Sequence, residues 1–114
     1  MPYSLSKHGA AVVAHLTGTV SGSDWVKLID DLDELIGRGP SRVVLDLTDL
    51  ESIDSSGLGS IVQLVSRCRM RGSAVGIANP NAFVTGVLEV TRLDQWIGVS
   101  KTVDQAIADV GMTS

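Results

Sequence analysis

Short apolar stretches alternate along the chain with longer stretches in which apolar residues recur every three or four positions. The short stretches have the length and composition typical of β-strands. They are residues 10–16, 42–47, 74–78 and 96–99. Residues 3–7 precede the first of them across a turn at His8 and Gly9, which predicts an opening β-hairpin. Residues 42–47 are nearly continuous in apolar character, as expected of a strand that is buried on both faces at the centre of a sheet.

The longer stretches predict four amphipathic helices. Their segments are residues 25–36, 58–68, 83–88 and 102–110. The resulting order β-β-α-β-α-β-α-β-α predicts an α/β fold, with a mostly parallel central sheet and helices packed against it.

The sequence also carries signals for where these helices begin and end. The first helix has Ser23 or Asp24 as its predicted cap and Gly37, Gly39 and Pro40 as its predicted stop. Gly72 sits where a residue in the left-handed conformation would end the second helix. Thr102, with Gln105 three residues later, predicts a capping box at the start of the last helix.

Composition narrows the class of protein. The chain has 114 residues, enough for one domain with a core, and 44% are hydrophobic. The formal net charge is −4, and the arginines Arg67, Arg69 and Arg71 suit the negative end of a helix, so we expect no nucleic-acid partner.

No stretch is long and apolar enough for a membrane span, and no leader pattern is present, which predicts a cytoplasmic protein without membrane insertion. Cys68 is the single cysteine, which excludes an internal disulfide and predicts a small buried residue.

The stretch IDSSGLG, residues 53–59, places two adjacent serines between a predicted strand and a predicted helix. Serines at that junction can cap the helix, act as a nucleophile or accept a modification. A serine at a helix amino end lies near unpaired backbone N–H groups, and the helix dipole tolerates added negative charge there. The position of Ser55 and Ser56 in the sequence does not decide between a capping role and a modification site.

The nucleophile hypothesis lacks a base. The only histidines, His8 and His15, fall in the predicted hairpin, and His15 at an alternating strand position is typical of a packed residue. The chain has no Gly-x-Ser-x-Gly pattern, phosphate-binding loop or metal-ligand spacing, so we expect no enzyme, no cofactor and no metal. Four acidic residues precede the serines and give only a weak indication of a cation site; they are Asp46, Asp49, Glu51 and Asp54.

Three segments together resemble a known family. They are residues 43–47 (VVLDL), 53–59 (IDSSGLG) and 87–94 (VLEVTRLD). They are similar to the STAS domain family, in particular to bacterial anti-sigma factor antagonists, and the similarity runs from about Gly18 to Ile107. The resemblance implies one STAS-like domain over residues 1–114, with its core at about 10–110.

The resemblance also implies a function for the junction. In that family the serine directly before the glycine is phosphorylated, which corresponds to Ser56. The unphosphorylated form is expected to bind a serine kinase that doubles as an anti-sigma factor, of the histidine-kinase-like ATPase type, and phosphorylation is expected to release it, with a PP2C-type phosphatase opposing the kinase. The implied partner-binding residues are Asp54, Ser55, Ser56, Gly57, Leu58, Gly59, Ser21 and Asp24. The alternative is a constitutive STAS subunit of a signalling scaffold or of a transporter or lipid-transport complex.

Two positions depart from the family pattern. Ser21 stands where an aspartate is usual after the second strand, and we expect Asp24 to substitute for that carboxylate if the loop folds back. Arg92 stands where a glycine is usual, which predicts an altered turn. Gly57 and Gly59 are expected to leave room for a partner to approach.

Overall fold

A five-stranded sheet forms the centre of the structure, in the order β1-β2-β3-β4-β5. The computed structural model describes residues 2–36 and 41–112. The strands are β1 (Tyr3–His8), β2 (Ala11–Gly18), β3 (Arg42–Leu50), β4 (Ala74–Ala78) and β5 (Gly98–Ser100). The helices are α1 (Gly22–Ile36), α2 (Ser55–Met70), α3 (Ala82–Val90), α4 (Leu93–Trp96) and α5 (Val103–Met112).

The strand directions match the prediction. β1 and β2 form an antiparallel hairpin around Gly9, whose positive φ of 63° suits a residue without a side chain. The other three pairings are parallel, and β3 lies in the centre, where Val43, Val44 and Leu45 are fully buried. The predicted α/β fold with a mostly parallel sheet is therefore confirmed.

The sheet buries side chains on both faces because successive strand residues point to opposite sides. The larger core includes Leu16, Leu45 and Ile77 from the strands, and it packs against α1 and α2. The smaller core includes Val13 and Val44, and α5 covers it.

The helix ends differ in part from the prediction. α1 begins at Gly22, and its cap is Ser21 rather than Ser23 or Asp24, since the Ser21 hydroxyl accepts the backbone N–H of Asp24 at 3.2 Å. The predicted stop at Gly37, Gly39 and Pro40 lies outside the described residues. Gly72 does adopt the left-handed conformation, with φ 75°.

The predicted capping box of α5 is half formed. Thr102 Oγ1 accepts the backbone N–H of Gln105 at 3.0 Å, as expected. The Gln105 side chain, however, donates forward to Asp109 at 2.8 Å instead of reaching back to the start of the helix.

The last strand begins at Gly98, later in the chain than the predicted start at Trp96. Leu93–Trp96 form the short helix α4, and the strand follows at Gly98–Ser100, so Trp96 is helical. Arg92, directly before α4, has φ 62° and ψ 18°, the left-handed conformation that glycine adopts without strain. This conformation accounts for the glycine that the family resemblance led us to expect at this position.

The pairing of β2 with β3 contains an irregularity. His15 lies opposite Asp46, and Thr17 lies opposite Asp49. Leu16 alone therefore faces the two residues 47–48, which is the arrangement of a β-bulge. Pairing resumes after the bulge and continues to Leu50, which lies opposite Gly18.

Within the described part of the chain, no helix has both the length and the apolar character needed to cross a bilayer.

Candidate functional site

Helix α2 begins at the predicted junction, and Asp54 caps it. Asp54 has extended backbone angles, and its Oδ1 accepts the backbone N–H of Gly57 at 2.9 Å. Ser55 and Ser56 are then the first two helical residues, and both are exposed. Within residues 2–36 and 41–112 neither serine hydroxyl forms a hydrogen bond. The serines are therefore not the caps of α2, and their hydroxyls are open to solvent.

The amino end of α1 lies beside Ser56. A Cβ atom built on Gly22 would be 3.7 Å from both the Cβ and the Oγ of Ser56. Gly22 is the first residue of α1 and Ser56 is the second of α2, so two helix amino ends meet at this hydroxyl. Each end carries partial positive charge from its backbone N–H groups, and an anion at this point is favoured by both.

The turn before α1 is held by a reciprocal pair. The Ser21 hydroxyl accepts the backbone N–H of Asp24 and donates to its Oδ2 at 2.9 Å. The backbone N–H of Trp25 reaches the Ser21 carbonyl at 3.0 Å. The Asp24 carboxylate is thus folded back onto Ser21, the residue next to Gly22.

The two glycines of the junction have different environments. Gly57 is buried, and a Cβ atom there would lie 2.7 Å from Ile53 Cγ1 and 2.9 Å from Trp25 Nε1. The absence of a side chain at Gly57 serves the packing of the protein's own core, and the expectation that it leaves room for a partner is wrong. Gly59 is exposed with open space around it, and Leu58 is half-buried against the core.

Asn81 anchors the loop that precedes α2. Its Nδ2 donates to the carbonyls of Leu50 at 3.0 Å and Glu51 at 3.1 Å. Its Oδ1 accepts the backbone N–H of Val84 at 2.8 Å, so the same side chain caps α3. The Glu51 N–H also bonds the Gly18 carbonyl at 2.9 Å. The sequence alone did not indicate this role of Asn81.

His15 forms a second polar cluster that sequence reasoning missed. Its Nδ1 lies 2.8 Å from Asp46 Oδ2, and its Nε2 lies 2.9 Å from Asp49 Oδ2. The hydrogen bond to Asp46 raises the pKa of His15 above its ordinary value of 6.5, against the lowering effect of burial. Burial by itself would raise the pKa of Asp46, but hydrogen bonds from Thr48 and His15 outweigh it and lower that pKa.

The positions of these groups bear on the nucleophile and cation hypotheses. His15 follows Ala14, which points into the larger core, so the ring lies on the other face of the sheet from the core that packs under Gly57. It is therefore not positioned as a base for Ser56. Among the described residues, no group of three or more histidine, cysteine, aspartate or glutamate side chains is arranged to hold a metal ion.

Cys68 is buried on α2, as predicted, and burial raises the pKa of its thiol.

Of the three arginines at the end of α2, two bind Asp33 of α1: Arg67 at 2.9 Å and Arg71 at 3.3 Å. Arg69 stacks over the ring of Trp96, 4.8 Å from its centroid. These residues tie helices together, so their role is structural.

Comparison with known proteins agrees with the predicted fold and family. A family model described as "Mlab, STAS domain" matches residues 3–103. A candidate anti-sigma factor antagonist of Thermotoga neapolitana is 35% identical over 78 residues, which cover 68% of this chain and 69% of that protein.

Solved structures extend the likeness over nearly the whole chain. The crystal structure of a candidate anti-sigma factor antagonist of Thermotoga maritima aligns with TM-score 0.84 and 23% identity, covering 96% of this chain and 94% of that one. The anti-sigma factor antagonist SpoIIAA in its unphosphorylated form aligns with TM-score 0.82 and 21% identity, covering 98% and 99%. The Bacillus cell fate determinant SpoIIAA in its phosphorylated form aligns with TM-score 0.73 and 18% identity, covering 95% of this chain and 98% of that one. At these identities the structures establish the shared fold.

Proposed function

The chain belongs to the STAS domain family, and we propose that it works there as a phosphorylation-controlled binding protein of the anti-sigma factor antagonist type. In its unphosphorylated form it binds a serine kinase that is also an anti-sigma factor, of the histidine-kinase-like ATPase type. Phosphorylation of Ser56 releases the partner, and a PP2C-type phosphatase restores the binding form. The activity belongs to one cytoplasmic domain spanning residues 1–114, and we assign it no catalytic reaction.

The observation that carries the proposal is the placement of the Ser56 hydroxyl. It is exposed and unbonded within the described residues, because Asp54 has taken over the capping of α2. The amino ends of α1 and α2 meet beside it. A phosphate at this position gains from both helix dipoles, so modification does not require the domain to unfold.

The charge added by phosphate explains how binding is switched. A phosphoserine carries about −1.5 to −2 charges at neutral pH. The residues around it already include the carboxylates of Asp54 and, folded onto Ser21, Asp24. The modified surface repels an acidic partner surface and resists burial against an apolar one, whereas the unmodified surface allows contact.

The partner-binding surface follows from what is exposed around this point. The first two turns of α2 are exposed at Ser55, Ser56 and Gly59. Leu58 adds a half-buried apolar side chain to this surface. Ser21 and Asp24 form the adjoining edge. Gly57 contributes indirectly, by allowing α2 to lie close to Trp25.

The test is site mapping combined with capture of partners from the native host. Intact-mass and peptide mass spectrometry locate the phosphate, and pull-downs compare wild type with Ser56→Ala and Ser56→Asp. We expect phosphate on Ser56 and a kinase-like partner that the Ala variant retains and the Asp variant loses. Ser55→Ala and Ser55→Asp are the matched controls, one residue away and also exposed, and they should leave the phosphate on Ser56.

A second candidate is a constitutive STAS subunit of a scaffold or transporter complex. The substitution of serine for the usual aspartate at position 21 favours it, since Ser21 and Asp24 satisfy one another. Capture of one unchanged assembly by all three Ser56 forms, without phosphate on Ser56, would establish this second function in place of the first.

A further inference from the structure

His15 bridges the two ends of the bulge in β3. Its two ring nitrogens lie 2.8 Å from Asp46 and 2.9 Å from Asp49. Asp46 precedes the extra residue of the bulge, and Asp49 follows it. The ring therefore fastens the strand on both sides of the irregularity.

Both contacts require a protonated ring. A carboxylate only accepts hydrogen bonds, and a neutral imidazole carries a proton on one nitrogen. The Nδ1 hydrogen bond to Asp46 and the Nε2 ion pair with Asp49 form together only when the ring is an imidazolium. Loss of one proton leaves a nitrogen lone pair facing a carboxylate oxygen, which is a repulsive contact.

The two aspartates are not equivalent, and this decides which contact is lost. The Asp46 side chain is 11% exposed and also accepts the hydroxyl of Thr48 at 2.6 Å. The Asp49 side chain is 58% exposed, so water can replace the ring. A buried carboxylate without its donor costs more than an exposed one, so the remaining proton stays on Nδ1 against Asp46.

We propose that His15 is a proton-controlled clasp on the segment that leads to Ser56. As an imidazolium it holds Asp46 and Asp49 together across the bulge and fixes the course of residues 49–54. Deprotonation opens the Asp49 side of the clasp, while the Asp46 side stays closed. The described charged groups that face the ring are these two aspartates; Ser4 of β1, its partner in register, carries no charge.

A short segment, residues 49–56, connects the clasp to Ser56, and hydrogen bonds hold its first part. Leu50, next to Asp49, pairs with Gly18, and the Glu51 N–H bonds the Gly18 carbonyl at 2.9 Å. Three residues later Asp54 caps α2, and Ser56 lies in the first turn. A change at Asp49 therefore acts on the strand end from which the Ser56 loop departs. Its effect on a partner rests on the proposed function, whereas its effect on the loop does not.

The experiment is an NMR titration of the isolated chain with ¹⁵N-labelled histidine and backbone. We expect both ring nitrogens of His15 to be protonated at low pH and only Nε2 to lose its proton as pH rises. The amide signals of Asp49, Leu50 and Glu51 should shift with the same midpoint. Retention of the proton on Nε2 in the neutral ring, or loop amides that do not follow the His15 midpoint, would overturn the clasp.

Two variants make the test specific. Asp49→Asn removes one exposed carboxylate and should lower the His15 midpoint and abolish the coupled shift of Leu50 and Glu51. His8→Gln removes the other histidine, which contacts Ser6, and should leave that coupled shift unchanged. An Asp49→Asn protein with an unaltered His15 midpoint would contradict the proposal. Absence of phosphate on Ser56 would contradict the proposed function and leave the clasp intact.

Discussion

Alanine in place of Gly57 puts a methyl group into the contact between α2 and the core below it. The added Cβ would lie 2.7 Å from Ile53 Cγ1 and 2.9 Å from Trp25 Nε1, and at both distances one of the two atoms has to shift. Trp25 is 2% exposed and Ile53 is 9% exposed, so neither has free space to move into. The helix has to lift, or the core has to rearrange.

Two opposing effects set the size of the change. Overpacking of a well-packed core costs about 1 to 3 kcal/mol. Replacing glycine by alanine in a helix returns up to about 1 kcal/mol, and less than that in the first turn. We therefore expect Gly57→Ala to lower the free energy of unfolding by about 1 to 2 kcal/mol, since the clash exceeds the gain.

Gly59→Ala is the matched control, because it makes the same chemical change two residues later. A Cβ at Gly59 meets nothing within 4 Å, and the residue is exposed in the interior of α2. Only the helix preference then acts, so we expect this variant to be more stable than wild type by about 0.5 to 1 kcal/mol.

Urea or guanidinium unfolding of the three proteins measures both changes. The denaturation midpoint should fall for Gly57→Ala and rise for Gly59→Ala, with the slope of the transition unchanged. Equal stabilisation by both alanines would refute the tight contact of Gly57 with Ile53 and Trp25. A Gly57→Ala protein that is less stable and also binds its partner more weakly would show that this contact positions the Ser56 surface.

Variants at three further positions test other features. Arg92→Gly should raise the free energy of unfolding by about 1 kcal/mol, because it relieves a left-handed backbone at a non-glycine residue, and a lower thermal midpoint would contradict this. Asp54→Ala should cost about 1 kcal/mol by removing the cap of α2, while Asp54→Asn keeps an accepting oxygen and should cost much less; equal losses in chemical unfolding would argue against a capping role. The raised pKa of His15 means that the folded state binds its proton more tightly than the unfolded state, so its stabilisation is fully present below the ordinary value of 6.5 and is lost as pH rises through the raised value. The stability difference between wild type and His15→Gln should therefore shrink with increasing pH, and a difference that stays constant would show that the ring is not charged.

Much of the fold could be predicted because its signals are local. The continuous apolar run at 42–47 indicated the central strand, and Gly9 and Gly72 occupy the turns where left-handed backbone is needed. The helix α4 was missed because four residues are too few to show a helical period, and Trp96 beside Ile97 imitates a strand. The cap of α1 was misplaced because several hydroxyl and carboxylate residues occur together at 21–24.

The site was predictable only in part. The position of Gly57 on the buried face of α2 was available in the sequence, since Gly57, Ile61 and Leu64 follow the same helical spacing. The contacts of His15 with Asp46 and Asp49 could not be predicted from the sequence. They depend on the parallel register of β2 with β3 and on a bulge, which bring His15 to Asp46, 31 residues away in the chain, and to Asp49 beyond the bulge. The role of Asn81 depends likewise on a contact across 30 residues.

Neighbouring strands in this sheet are also neighbours in the chain, and this has a consequence for how the molecule assembles. Each new strand can pair with the strand made just before it. The connections between the parallel strands are of similar length, so no pairing requires a much longer loop than the others. The sheet can therefore grow strand by strand during synthesis. The loop before Ser56 is the exception, because Asn81, which fastens it, is made only after β4. A nascent chain therefore presents Ser56 on a segment that the Glu51–Gly18 hydrogen bond can hold but that the Asn81 side chain does not yet hold.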